Sequence, residues 1–226
     1  MAELVLPPPG AGFVVVNPRR PGSDMSTSRF VMPRLKSRDE MYDVYFVDRL
    51  SKKARSELVP FMIVSSTDPG ALFLVTYDIK SKERRYSYTR IREALTYQLC
   101  AKVGASAYLC PHESAADAIV DYVTHYSVVP VRPATPEAEE AARQAFEGLV
   151  ADIAGGLEEA AKELANAKNR GAAARRALAL ADKARRAISG PAAERVEKLF
   201  GAGLLDPIRR ALEEVEEARR GGVISG

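Results

Sequence analysis

Residues 61–79 read FMIVSSTDPGALFLVTYDI, and their reading decides the fold class. Two apolar, β-rich runs, Phe61 to Ser65 and Leu72 to Ile79, flank the tetrapeptide Thr67-Asp68-Pro69-Gly70. Valine, isoleucine, phenylalanine and tyrosine suit a pleated, half-buried surface, and Asp-Pro-Gly carries turn chemistry. The stretch therefore predicts an antiparallel hairpin at the heart of a sheet.

Toward the N-terminus, Met41 to Val47 (MYDVYFV) is a further strand and Ser51 to Leu58 a short helix capped by Ser51. Phe13 to Val16 is a short β-type run ended by Asn17-Pro18, and Arg19 to Ser28 is a loop rich in Pro, Gly and Ser. Toward the C-terminus the spacing predicts a helix over Glu83 to Val103, stopped by Gly104. A strand over Ala105 to Cys110, a helix over His112 to His125 and a strand over Ser127 to Val131 follow. From residue 41 the order is β-α-β-β-α-β, then α-β, and its first six elements match a split βαβ, ferredoxin-like arrangement. The expected class is α+β, with a mostly antiparallel sheet carrying helices on one face.

Pro130, Pro133 and Pro136 mark a boundary, beyond which Thr135 caps a helix with Pro136 in its first turn. Phe146, Val150, Ile153, Leu157, Ala160 and Leu164 then recur at steps of four and three, a heptad seam. The seam predicts a coiled coil and a homodimer or other homo-oligomer held through 136–165. Gly155-Gly156 inside it weakens the helix by roughly 1 kcal/mol per glycine against alanine. Asn169-Arg170-Gly171 breaks the helix, and others are expected over 172–189, 191–200 and 206–220. The organisation expected is an extended basic arm over 1–40, an α/β domain over 41–133 and an all-α region over 134–226.

A hydrophobic share of 46% and a charged share of 28% belong to a globular chain. No apolar run approaches the length of a membrane span, and Met1 to Gly12 lacks the basic start of a signal peptide, so a cytoplasmic protein is expected. Cys100 and Cys110 are the only cysteines and read as two buried structural thiols. With His112 and His125 they give C-x9-C-x-H-x12-H, which lacks the close paired spacing of a zinc finger, so no metal or other cofactor is expected. Arg outnumbers Lys 23 to 10 and Asn plus Gln total 5, a bias that suits a thermophile, although a GC-rich genome gives the same Arg excess.

The net charge of +3 hides two local blocks. Residues 19–38 hold six basic side chains against Asp24, and residues 80–92 hold six against Glu83. In the second block (KSKERRYSYTRIR), Tyr88, Ile91, Leu95 and Leu99 share one helical face, which is read as the core face. Tyr86, Arg90 and Tyr97 then fall on the far side, two tyrosines bracketing an arginine, with Lys80, Lys82, Arg84, Arg85 and Arg92 nearby. Aromatic rings that stack bases and arginines that meet phosphates are what single-stranded nucleic acid requires; the bland alternative is a solvated or helix-covered face. Arg19, Arg20, Arg29, Phe30, Arg34, Lys36 and Arg38 lie in a Gly/Pro/Ser context suited to an arm that orders on binding, or to an arm with no role. A third basic block, Lys168 to Arg186, faces acidic neighbours and reads as interhelical pairing.

Catalytic signatures are absent: no G-x-S-x-G, Walker A or G-x-G-x-x-G occurs, and no catalytic residue is assigned. One carboxylate stands apart. Asp78 closes the run Leu72 to Ile79 and precedes Lys80, Lys82, Arg84 and Arg85. Tyr77-Asp78-Ile79, the pair Arg84-Arg85 and the later Ser106-Ala107-Tyr108 resemble the ferredoxin-like CRISPR-adaptation nucleases over residues 72–112. That resemblance implies a Mg²⁺- or Mn²⁺-binding role for Asp78. Those proteins have a second strand before the next helix, whereas here Pro111-His112 is read as entering a helix directly. The overall layout, an α/β domain with basic residues followed by self-associating helices, resembles the archaeal ThermoDBP-type single-stranded-DNA-binding proteins. The expectation is a non-enzymatic protein that binds single-stranded nucleic acid, DNA before RNA. A metal-dependent nuclease using Asp78 and a structural adaptor are the alternatives.

Overall fold

A computed structural model of the chain describes residues 3–4, 13–18, 42–47, 59–64, 67–79, 84–104, 106–167 and 170–221. The fold is α+β, a mostly antiparallel sheet followed by helices. Its strands are β1 (Glu3–Leu4), β2 (Phe13–Pro18), β3 (Tyr42–Val47), β4 (Val59–Ile63), β5 (Leu72–Asp78), β6 (Ala101–Gly104), β7 (Ala107–Cys110) and β8 (His125–Pro133). Helix α1 (Arg84–Thr96) lies between β5 and β6, and a 3₁₀ helix (Glu113–Ile119) lies between β7 and β8. After β8 come α2 (Pro136–Asn166), α3 (Arg170–Ile188), α4 (Pro191–Phe200) and α5 (Asp206–Gly221). No described helix is long and apolar enough to cross a membrane.

The strand order is β3-β2-β4-β8-β5-β7-β6, with β1 paired in parallel to the start of β8. The hairpin expected from residues 61–79 does not form. Ile63 and Leu72 both pair with Val131, from opposite sides, so β8 lies between β4 and β5. The Asp-Pro-Gly turn itself is present: the Gly70 N–H donates to Asp68 Oδ1 (2.9 Å) and the Ala71 N–H to the Asp68 carbonyl (3.1 Å). It must span two strand spacings, roughly 10 Å, and crosses the end of β8. Arg132 of β8 pairs with the Asp68 carboxylate, and the Val64 N–H donates to the Pro130 carbonyl (3.0 Å). Turn chemistry fixed the bend; strand pairing fixed what lies beneath it.

The helix expected to reach Val103 stops at Thr96. The Cys100 N–H donates to the Leu95 carbonyl (2.9 Å) and the Leu99 N–H to the Thr96 carbonyl (3.1 Å), with Leu99 at φ 54°. These are the bonds of a Schellman stop with leucine where glycine is usual. Leu99 is buried, and apolar burial offsets the strain of the left-handed backbone. Ala101–Gly104, read as helix, becomes strand β6, and the helix expected over 112–125 is reduced to the 3₁₀ turn, which leaves His125 to open β8. Part of the expected arm also joins the sheet: β2 pairs with both β3 and β4. The helix expected over 51–58 lies outside the described residues.

The chain divides into two compact units, residues 1–95 with 100–145, and residues 96–99 with 146–226. In the first, Phe73, Val75 and Tyr77 of one side of β5, with Ile79 just beyond it, form a core with Tyr108 and Cys110 of β7, Ile91 and Leu95 of α1, and Ala115, Ala116 and Ile119 of the 3₁₀ turn. The alternate residues Leu72, Leu74 and Thr76 are buried too, so this strand is covered on both faces. In the second, α3 packs on α4 and α5. Phe146, Val150, Ile153, Leu157 and Leu164 of the heptad seam are buried within the single chain, and Phe146 meets Phe200 at 4.7 Å between ring centroids. The Thr135 hydroxyl accepts the Ala138 N–H (3.2 Å), the cap expected ahead of Pro136.

Candidate nucleic-acid interface

Helix α1 is shaped by two apolar positions at i and i+4 of one stripe. Ile91 and Leu95 are buried, and Ala94 packs against the same core. Tyr88, expected on that stripe, is not in the core: it is 40% exposed. The core takes side chains of α1 from Ile91 onward, and Tyr88 lies one turn ahead of it. Thr89, Arg90 and Arg92 are also exposed. Tyr88 and Arg92, at i and i+4, are surface neighbours on the helix.

The platform of Tyr86, Arg90 and Tyr97 is not assembled as the spacing suggested. Tyr97 falls past the end of α1, where helical rotation no longer applies. It is partly buried, with the Lys183 ammonium 5.8 Å from its ring centroid. Arg84, Arg85 and Tyr86 lie in the first turn of α1, and their side chains are outside the description. Arg19, Arg20, Arg29, Arg34, Lys36, Lys80 and Lys82 lie outside the described residues altogether. What the structure exposes on one stripe, and periodicity missed, is Tyr88 with Arg92, one turn apart. The signal that would have found it is length: a thirteen-residue helix (Arg84–Thr96) ending at the Schellman stop needs fewer core positions than the longer one expected over 83–103.

In the third basic block, Arg185 pairs with Asp182 (3.0 Å) and with Glu216 of α5, the interhelical pairing expected. Arg209 of α5 likewise holds Glu197 of α4 (2.8 Å) and Asp206 (2.7 Å). These contacts keep the Glu197 carboxyl below the usual carboxylate range, chiefly through the hydrogen bond from Arg209.

The two cysteines are not free thiols. Cys100 and Cys110 form a disulfide between the residue preceding β6 and the last residue of β7, and both are fully buried. Ala101 pairs with Leu109, so the two cysteines are the next cross-strand pair. Reading 101–103 as helix hid that pairing. The bond removes both sulfurs from any ligand set, and His112 is engaged locally, its Nδ1 2.9 Å from the Ser114 hydroxyl. Among the described residues no three His, Cys, Asp or Glu side chains are grouped as metal ligands. Asp78 ends β5 and pairs in register with His125 of β8. Comparison with family models, with curated proteins and with solved structures finds no match to this chain.

Proposed function

We propose that the protein binds single-stranded nucleic acid, DNA before RNA, without chemistry of its own, through the exposed side of α1 and the basic segments around it. The observation that carries this reading is Tyr88, an aromatic ring 40% exposed on a helix that also exposes Arg90 and Arg92. A ring presented to solvent one turn from the Arg92 guanidinium offers a base a stacking surface and its phosphates a counter-charge. The six basic residues of 80–92 extend the positive field along the same segment. The layout resemblance to the ThermoDBP-type proteins points the same way. Mobility shifts with equimolar single-stranded DNA, single-stranded RNA and duplex test it: the single strands, DNA foremost, should be retained and the duplex not. Equal retention of duplex would replace this reading with non-specific attraction to phosphate.

A second reading, metal-dependent nucleic-acid cleavage, is favoured by topology. The elements β5-α1-β6-β7-3₁₀-β8 are joined in the order β8-β5-β7-β6, every pair antiparallel. That is the order a split βαβ requires, and it supports the ferredoxin-like reading with residue 72, not 41, as its start. Strand β6 supplies the second strand that Pro111-His112 had seemed to leave out. Asp78, at the end of a central strand, would hold a Mg²⁺ or Mn²⁺ ion able to polarise a phosphodiester and activate water. Cleavage of a labelled oligonucleotide in Mn²⁺, abolished by Asp78→Asn, is the expected result on this reading; an intact oligonucleotide after prolonged incubation removes it.

A cytoplasmic, self-associating protein is part of the proposal. A disulfide in that compartment fits a heat-adapted cell, where intracellular disulfides are common. Self-association would use surfaces other than the 136–165 seam, whose apolar residues are already covered within the chain. A chain that neither binds nor cuts nucleic acid would be an adaptor.

A further inference from the structure

We propose that the Cys100–Cys110 disulfide is a redox latch on the edge of the sheet, opened in the folded chain by a dithiol that gains access when strand β6 alone peels away. The bond joins the residue before β6 to the last residue of β7, and both cysteines are fully buried. A reductant therefore reaches the sulfurs only when part of the structure opens, and β6 is the part built to open first.

Strand β6 is four residues long (Ala101–Gly104) and stands at the end of the strand order, so that among the described residues it is hydrogen-bonded to β7 alone. Strand β3, at the other end of that order, approaches β6 without pairing with it. The register between β6 and β7 is interrupted between Lys102 and Gly104, so the ladder is broken within its own short length. Just ahead of β6, Leu99 sits at φ 54°, a backbone region unfavourable to leucine, and the Cys100 N–H bond to the Leu95 carbonyl (2.9 Å) closes that stop. Peeling β6 uncovers Ala101 and Val103, two small side chains, and lets Leu99 leave the left-handed region. Strand β7 differs: it is paired with β5 on its other side, which keeps Cys110 in place. The covalent tie to Cys110 is thus what pins the weakest strand of the α1–β8 segment.

The chemistry is thiol–disulfide exchange. A thiolate of the dithiol attacks one cysteine sulfur, the S–S bond breaks, a mixed disulfide forms, and the other cysteine leaves as a thiolate that takes up a proton. The second thiol of the reductant then displaces the bound cysteine. The chain ends with two thiols, having gained two electrons and two protons, and the reductant leaves as its own disulfide. In that state residues 99–104 are released while β5, β7 and β8 hold the sheet. Neither Tyr88 nor Arg92 takes part, so the latch stands or falls apart from the nucleic-acid reading.

The rate at which dithiothreitol reduces the full-length chain, read by iodoacetamide alkylation and intact mass, tests the latch in rising urea below the unfolding transition. Both cysteines should become alkylated without urea, at a rate proportional to dithiothreitol and nearly independent of urea, because a local opening exposes little surface. Val103→Ala, which loosens β6, should speed reduction severalfold. Val129→Ala, the same truncation at a buried position of β8, should leave the rate nearly unchanged. After reduction the amides of residues 99–104 should exchange with solvent at least about tenfold faster, with β5 and β8 protected as before, and reoxidation should restore the first rate. Reduction that begins only as urea approaches the unfolding transition overturns the latch, since the bond would then open only with the whole fold. Equal acceleration by the two variants overturns it too, as does exchange at 99–104 that reduction leaves unchanged.

Discussion

Replacing Thr76 by valine exchanges a hydroxyl for a methyl group at a position 2% exposed, in a strand buried on both faces. The hydroxyl has no partner among the described residues, and its cross-strand neighbour Ser127 is in the same condition. Desolvating such a group without a bond costs about 1–3 kcal/mol, and a methyl of nearly the same shape incurs no such cost. Valine also suits the pleated surface better than most residues. The expected gain, measured in EDTA, is therefore about 1–2 kcal/mol, or about 3–6 °C in melting temperature for a chain of this size. Urea unfolding followed by far-UV circular dichroism reads it directly, with Leu74→Ala as a control that should lose about 2–5 kcal/mol through the cavity it leaves. Destabilisation of 1 kcal/mol or more in EDTA would refute the reasoning, since it would mean that the hydroxyl already has a partner.

Further outcomes follow from other parts of the chain. Gly155→Ala and Gly156→Ala, where an added Cβ meets nothing within 4 Å, should each stabilise α2 by about 0.5–1 kcal/mol in thermal melts. The double change Cys100→Ala with Cys110→Ala should cost about 2–3 kcal/mol, the chain entropy released by opening so short a loop, and dithiothreitol should no longer shift the melt. The Glu197 carboxyl, held below its usual range by Arg209, contributes stability that is present above the ordinary carboxylate range and lost as pH falls through the lowered value. Arg209→Ala should therefore melt lower than wild type at pH 7 by a margin worth less than about 1 kcal/mol, and the two should converge in acid.

The sequence made the strands legible and left their neighbours hidden. The apolar runs at Leu72–Asp78 and Tyr42–Val47 and the Asp-Pro start of α5 identify themselves through composition and turn chemistry, which are local. That β8 enters between β4 and β5 depends on a contact between residues 63 and 131, and no short-range signal carries it. The end of α1 was missed because Leu99 occupies a position where glycine is the usual sign of a stop. That single error turned β6 into helix, separated Cys100 from Cys110 and placed Tyr97 on a helix face. The heptad pattern from Phe146 to Leu164 was real, but periodicity cannot say whether the covering helix belongs to the same chain or to another. Thr76 and Ser127 looked like ordinary strand residues; only the register made them a pair.

The central claim is that α1 presents an aromatic and basic surface to a nucleic-acid strand, and one titration tests it most directly. A labelled oligothymidine is followed by fluorescence anisotropy at 50 and 200 mM salt, with wild type and with Tyr88→Ala. Two phosphate contacts, by Arg90 and Arg92, at about −0.7 each in the salt slope predict roughly sevenfold weaker binding at the higher salt. Loss of one stacked base, about 1–3 kcal/mol, predicts a loss of about 5-fold to 150-fold for Tyr88→Ala at either concentration. Identical affinities for the two proteins, or no binding by the wild type at 50 mM salt, would contradict the account.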